Sequence, residues 1–155
     1  MSFDATNFMN AVFTEANDTK LIPCPAGEFQ AQITKCDPTS GIIGKGERTG
    51  ETWAALKMTL EVNDEGVKVL CGRDKVFLGD MVMLDLTPSG GLDMSQGKNI
   101  NLGRVREACG LNRPGQPFSP VMLTGQMVKV SVKHVPGFRN PAELVAEITG
   151  YAKPY

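Results

Sequence analysis

The chain has 155 residues, 41% of them hydrophobic, and a formal net charge of −1. That is enough for one well-formed core and hardly two. No apolar run approaches the ~20 residues needed to cross a bilayer, so no membrane association is expected.

The N-terminus, Met1-Ser2-Phe3-Asp4, lacks the basic region and apolar core of a signal peptide, so a cytoplasmic protein is expected. Cys24, Cys36, Cys71 and Cys109 are scattered without a CxxC pair, and His134 is the one histidine. Structural zinc needs clustered thiolates or imidazoles, so neither a metal nor a cofactor is expected. Free, buried thiols are the reading that fits a reducing compartment. The small net charge hides an asymmetry. Residues 1–93 carry 8 basic and 14 acidic side chains, whereas residues 94–155 carry 8 basic and 3 acidic. Solvated faces can differ this way by chance, but a positive surface built by the C-terminal half would suit a polyanion.

In chain order, Ala5, Phe8, Met9, Val12, Phe13 and Ala16 keep helical spacing and predict an amphipathic helix. With Phe3 it makes a sticky arm over residues 1–20, which either packs on its own domain or docks on a neighbouring subunit. The domain proper then spans 21–155. Gly27–Lys35 alternates strictly and predicts a strand, ended by Asp37-Pro38. Residues 39–51 form a Gly-rich connection containing Lys45 and Arg48, of a length that usually serves a function. Thr52–Val62 is the second strand, with Leu56, Met58, Leu60 and Val62 on one face and Trp53 and Lys57 on the other. After a turn at Asn63–Gly66, extended chain resumes over Val67–Cys71 and, past a break near Gly72, over Val76–Leu86, interrupted at Gly79-Asp80. Thr87–Lys98 reads as loop.

A helix is predicted over Asn101–Cys109, capped by Asn101 and closed by a left-handed Gly110. Gln126–Val135 alternates Val128, Val130 and Val132 with Lys129, Ser131 and Lys133, and Glu143–Tyr151 pairs back after Pro136-Gly137. Gly44-Lys45 and Gly97-Lys98 lack the flanking residues of a phosphate-binding loop. Three strands, a helix and two strands is the order of a five-stranded OB-fold barrel, here with an added N-terminal helix. A β-sandwich and an SH3-like barrel are the alternatives.

The segments GKNINLGRVREACGLN (97–112), LTGQMVKVSVKH (123–134) and AELVAEITGYA (142–152) resemble a set of bacteriophage proteins. These are OB-fold-like single-stranded-DNA-binding proteins from replication and recombination modules, and the likeness covers most of the chain after Leu21. It implies binding to single-stranded DNA, with RNA left open, in the host cytoplasm, as a homo-oligomer working beside replication or recombination proteins. One departure is the end of the chain, Tyr151–Tyr155, where many single-strand binders carry an acidic recruiting tip.

Single-strand binding needs rings on which bases stack and cations that follow the backbone. The candidate rings are Trp53, Phe77 and Phe138. The candidate cations are Lys45, Arg48, Lys57, Lys68, Arg73, Lys75, Lys129, Lys133 and Arg139. Catalysis is not expected, because His134 has no phased carboxylate partner and Asp80, Asp85 and Asp93 lack metal-site spacing. The competing reading is a small virion or assembly protein that self-associates through its N-terminal helix.

Overall fold

Alternation of period two dictates five strands, and the computed structural model, which describes residues 2–154, contains five. They are β1 (Gly27–Ile42), β2 (Thr52–Val62), β3 (Phe77–Leu84), β4 (Met127–Pro136) and β5 (Leu144–Ala152). The helices are α1 (Ala5–Asn10), α2 (Glu65–Cys71) and α3 (Ile100–Ala108), with a 3-10 turn at Pro120–Leu123. The strands form one antiparallel sheet in the order β3-β2-β1-β4-β5. The sheet curls until its edge strands β3 and β5 approach one another, giving an OB-type barrel.

The curl is built into β1. Its first part pairs with β4 over Gly27–Gln32, and its second with β2 out to Ile42. Between them the register slips at Thr34, where β1 carries one residue more than β2. Such a bulge bends the strand and reverses which residues face inward. Ala31 and Ile33 are buried before it, and Cys36 packs on the core after it. Pro38 therefore does not end the strand as the sequence suggests. Past Ile33 only one edge of β1 is paired along the ladder, and such an edge tolerates a residue with no N–H to give. The connection to β2 shrinks to residues 43–51.

Two further expectations are overturned: β3 runs through Gly79-Asp80 without a break, its pairing with β2 unshifted there, and Val67–Cys71 is helix α2 and not strand. Val67 and Cys71, four apart, are buried, while Val69 is 80% exposed. The Asp64 carboxylate accepts the Val67 N–H at 3.0 Å, and Gly72 closes the helix at φ +66°.

The helix α3 begins one residue before expectation. Asn101 does not cap it; Asn99 stands at that position in the left-handed conformation, and its side chain serves a different purpose described below. Gly110 takes the left-handed φ of +70° that was expected. Leu102, Val105 and Ala108 bury one face of α3 against β3 and β5. With Ile33, Leu60, Val62, Val76, Leu123, Val128 and Val130 they form a single core. A further slip between Ser131 and Val132 lets both Ile148 and Tyr151 of β5 face inward, while Leu144, in phase with Ile148 but opposite Pro136 at the end of the strand, is 54% exposed.

Tyr151 ties the two edge strands together, its hydroxyl donating to the Asp80 carboxylate on β3. Burial, and then the Asp80 charge, push its phenol well above the ordinary tyrosine range. Burial likewise pushes the Cys24 and Cys109 thiols up to about 11. Groups raised in this way bind protons more tightly folded than unfolded, so stability should fall as pH rises above about 9. Denaturant unfolding across the alkaline range should show that decline continuing past pH ~10, and Tyr151→Phe should remove its later part. A flat profile from neutral pH to ~11 would contradict this burial.

The arm is less helical than expected and does not pack on its own domain. Its helix stops at Asn10, and every residue from 2 to 23 is exposed. A six-residue helix with no surface to pack against is marginal, and the periodic stretch beyond it is extended. Its rings meet only one another, Phe3–Phe8 at 5.2 Å and Phe8–Phe13 at 6.2 Å between centroids. Deleting residues 2–19 should therefore leave the thermal midpoint almost unchanged. A drop of several degrees would mean that these phenylalanines complete the barrel's own core.

Candidate nucleic-acid interface

The phase of β2 places Leu56, Met58, Leu60 and Val62 in the core, each at most 4% exposed. No slip interrupts its pairing with β3, so Trp53, Ala55 and Lys57 share the outer face. Across the ladders Trp53 stands opposite Gly41, Ala55 opposite Met83, and Lys57 opposite Met81. Phe77, 51% exposed, is in phase with Met81 and Met83 and lies on that same face toward the far end of β3.

Trp53 is half-buried, with its indole laid flat across the β1 partner. A Cβ on Gly41 would come within 2.6 Å of the indole Nε1, so only glycine leaves room for it there. Beside this ring opens a cleft of about 690 Å³. Its floor is Trp53, Met81 and Met83; Ile43 and Arg48 wall one side, and Leu86, Asp93 and Lys98 the other.

The second wall is held by a compact network. Asn99 is buried with φ +54°, and its amide nitrogen donates to the carbonyls of Asp85 and Asp93, both at 2.9 Å. Its amide oxygen accepts the Asp85 N–H at 2.8 Å, and its own N–H meets the Asp85 carboxylate at 2.9 Å. Hydrogen bonds from Ser95, first its hydroxyl and then its N–H, hold the Asp93 carboxyl below the usual range, and nearby Lys98 adds to this. The loop from Asp85 to Asn99 is thus fastened to the end of β3, with Lys98 exposed at its rim.

The predicted residues fall into three groups. Arg48 and Trp53 line the cleft, although Arg48 Nε already meets Glu51 at 2.5 Å; Lys45 lies in the same β1–β2 loop and Lys57 midway along β2, and neither lines it. Lys68, Arg73 and Lys75 lie around α2, at the opposite end of β2 from Trp53. Lys68 pairs with Glu65 at 3.3 Å, and Arg73 Nη1 is sealed from solvent with no partner among the described residues. Neither extends the cleft. Lys129 and Lys133 lie on β4, where Lys133 stands opposite Glu147, and Phe138 and Arg139 occupy the β4–β5 turn. Phe138 is fully exposed, but its turn adjoins the linker before β1, through the ion pair of Lys20 with Glu143 at 2.8 Å and the contact of His134 with the Cys24 carbonyl. Lys98, Met81 and Met83 were not anticipated. Met81 and Met83 alternate with buried Val82 and half-buried Leu84, a signal that was readable; Lys98 takes its place only through the Asn99 network.

No family model and no curated protein matches the chain. Among the described residues no group of three His, Cys, Asp or Glu side chains could hold a metal ion, and no helix is long and apolar enough to cross a membrane.

Proposed function

We propose that the protein binds single-stranded DNA without sequence preference across the outer face of β2 and β3, in phage replication or recombination. The observation that carries this reading is Trp53, a half-buried indole held flat on the sheet beside an open cleft with cations at its rim. Bases stack on such a ring with little regard to sequence, each stack contributing roughly 1–3 kcal/mol. Met81 and Met83 widen the apolar floor, and Lys57 lies on the same face of β2, opposite Asp37 of β1. The phage setting rests on the resemblance carried by residues 97–112, 123–134 and 142–152, which extends over most of the chain after Leu21.

Titrating oligothymidine while following the fluorescence of the one tryptophan tests the proposal. Quenching is expected, with affinity falling as salt rises by a log–log slope of about −0.7 per phosphate neutralised. Duplex should bind much more weakly, because paired bases cannot reach the ring. Equal affinity for duplex and single strand would remove the stacking cleft, and quenching that ignores salt would remove the cations at its rim. The exposed arm favours a second reading, self-assembly through Phe3, Phe8 and Phe13. In that case sedimentation would show an oligomer that dissociates on deletion of the arm, with no affinity for DNA.

A further inference from the structure

We infer that the bound strand leaves the Trp53 cleft across Lys98 and continues along α3 to Arg104, and does not run over the turn that carries Phe138. This rests on the proposed single-strand binding. Three grooves share their walls. Lys98 lines both the cleft and a second groove, of about 420 Å³, that follows the exposed side of α3. Arg104 lines that groove and also a third, of about 340 Å³, between β3 and β5. Met81 belongs to the first and the third, so the grooves form one connected surface around the start of α3.

Charge decides the direction. The cleft alone is balanced, with Arg48 and Lys98 offset by Asp85 and Asp93. The β1–β2 loop is balanced as well, since Lys45 and Arg48 face Glu47 and Glu51 in sequence. A polyanion gains little from either. The groove along α3 differs, carrying Lys98, Arg104 and Arg106 against Asp93 and Glu107. Arg106 is already engaged, its guanidinium 4.1 Å from the centre of the Phe118 ring and its Nε donating to the Leu111 carbonyl. Lys98 and Arg104 are exposed and have no ion-pair partner among the described residues. Ile100, 50% exposed beside them, offers an apolar step between the two cations. The β4–β5 turn offers a single cation, Arg139, its Glu143 being paired with Lys20.

The test measures the salt slope for oligothymidine of about 16 nucleotides, long enough to pass beyond the cleft. Wild type is compared with the double variant Lys98→Gln/Arg104→Gln and with Arg139→Gln, all with exposed side chains that the fold does not use. The double variant should flatten the slope by about 1.4, two phosphates' worth, and Arg139→Gln should leave it unchanged. An unchanged slope in the double variant, or equal flattening by Arg139→Gln, overturns the path while leaving single-strand binding intact. Absence of salt-dependent binding by the wild type overturns both.

Discussion

Replacing Trp53 with Ala is expected to weaken oligothymidine binding by about 1–3 kcal/mol, roughly 5- to 150-fold. The same change should cost less stability than the ~3–5 kcal/mol lost when a fully buried tryptophan is truncated. The reason is its position. Trp53 stands on the outer face of β2, while Leu56, Met58 and Leu60 fill the inner one. Gly41→Ala supplies an independent arm, because it removes no group that a ligand could touch. Its added methyl would lie 2.6 Å from the indole Nε1, and the ring is the movable partner. The indole should swing away from the sheet, altering its emission and weakening binding with little loss of stability. If Trp53→Ala instead unfolds the protein easily and leaves affinity intact, the ring merely covers the sheet. Gly41→Ala would then act on stability alone.

The barrel was legible where one rule of periodicity acted without competition. Thr52–Val62 matched to the residue, because a strand with four consecutive core positions admits a single phase. The Gly110 cap was legible for a similar reason, since its conformation is a local property of the chain. Reading failed where two local rules disagreed. Val67, Val69 and Cys71 alternate as a strand would, yet Asp64 and Gly72 frame them as helix caps, and the caps prevailed. At Pro38 the sequence could not reveal that one edge of β1 is unpaired there. The arm kept perfect helical spacing but had nothing to pack against, so its periodicity alone did not secure a long helix. For the candidate site, Trp53 and Lys57 followed from phase alone. The separation of Lys68, Arg73 and Lys75 from Trp53 followed from the length of β2 and the helix at its end. Lys98 could not be read, because its placement depends on a side-chain network joining residues 14 apart.

That network supports the largest stability change expected outside the apolar core. Asn99→Ala removes three side-chain hydrogen bonds and leaves the Asp85 N–H without its acceptor. A buried group orphaned in this way costs about 1–3 kcal/mol, and each lost bond adds roughly 0.5–1.5. Alanine must also hold φ near +54°, a conformation that asparagine visits more readily. Together these should lower stability by about 3–5 kcal/mol in urea unfolding. Asn99→Gly loses the same bonds but meets the backbone requirement freely, so it should recover about 1 kcal/mol relative to the alanine variant. Both changes release the loop that carries Asp93 and Lys98 along the cleft. Affinity for oligothymidine should therefore fall even under conditions where the barrel stays folded, although Asn99 is too deeply placed to touch a ligand. If glycine proves as damaging as alanine, backbone conformation contributes nothing at this position. If both variants stay within about 1 kcal/mol of wild type, the loop is held by other contacts, and Lys98 has no fixed place at the rim.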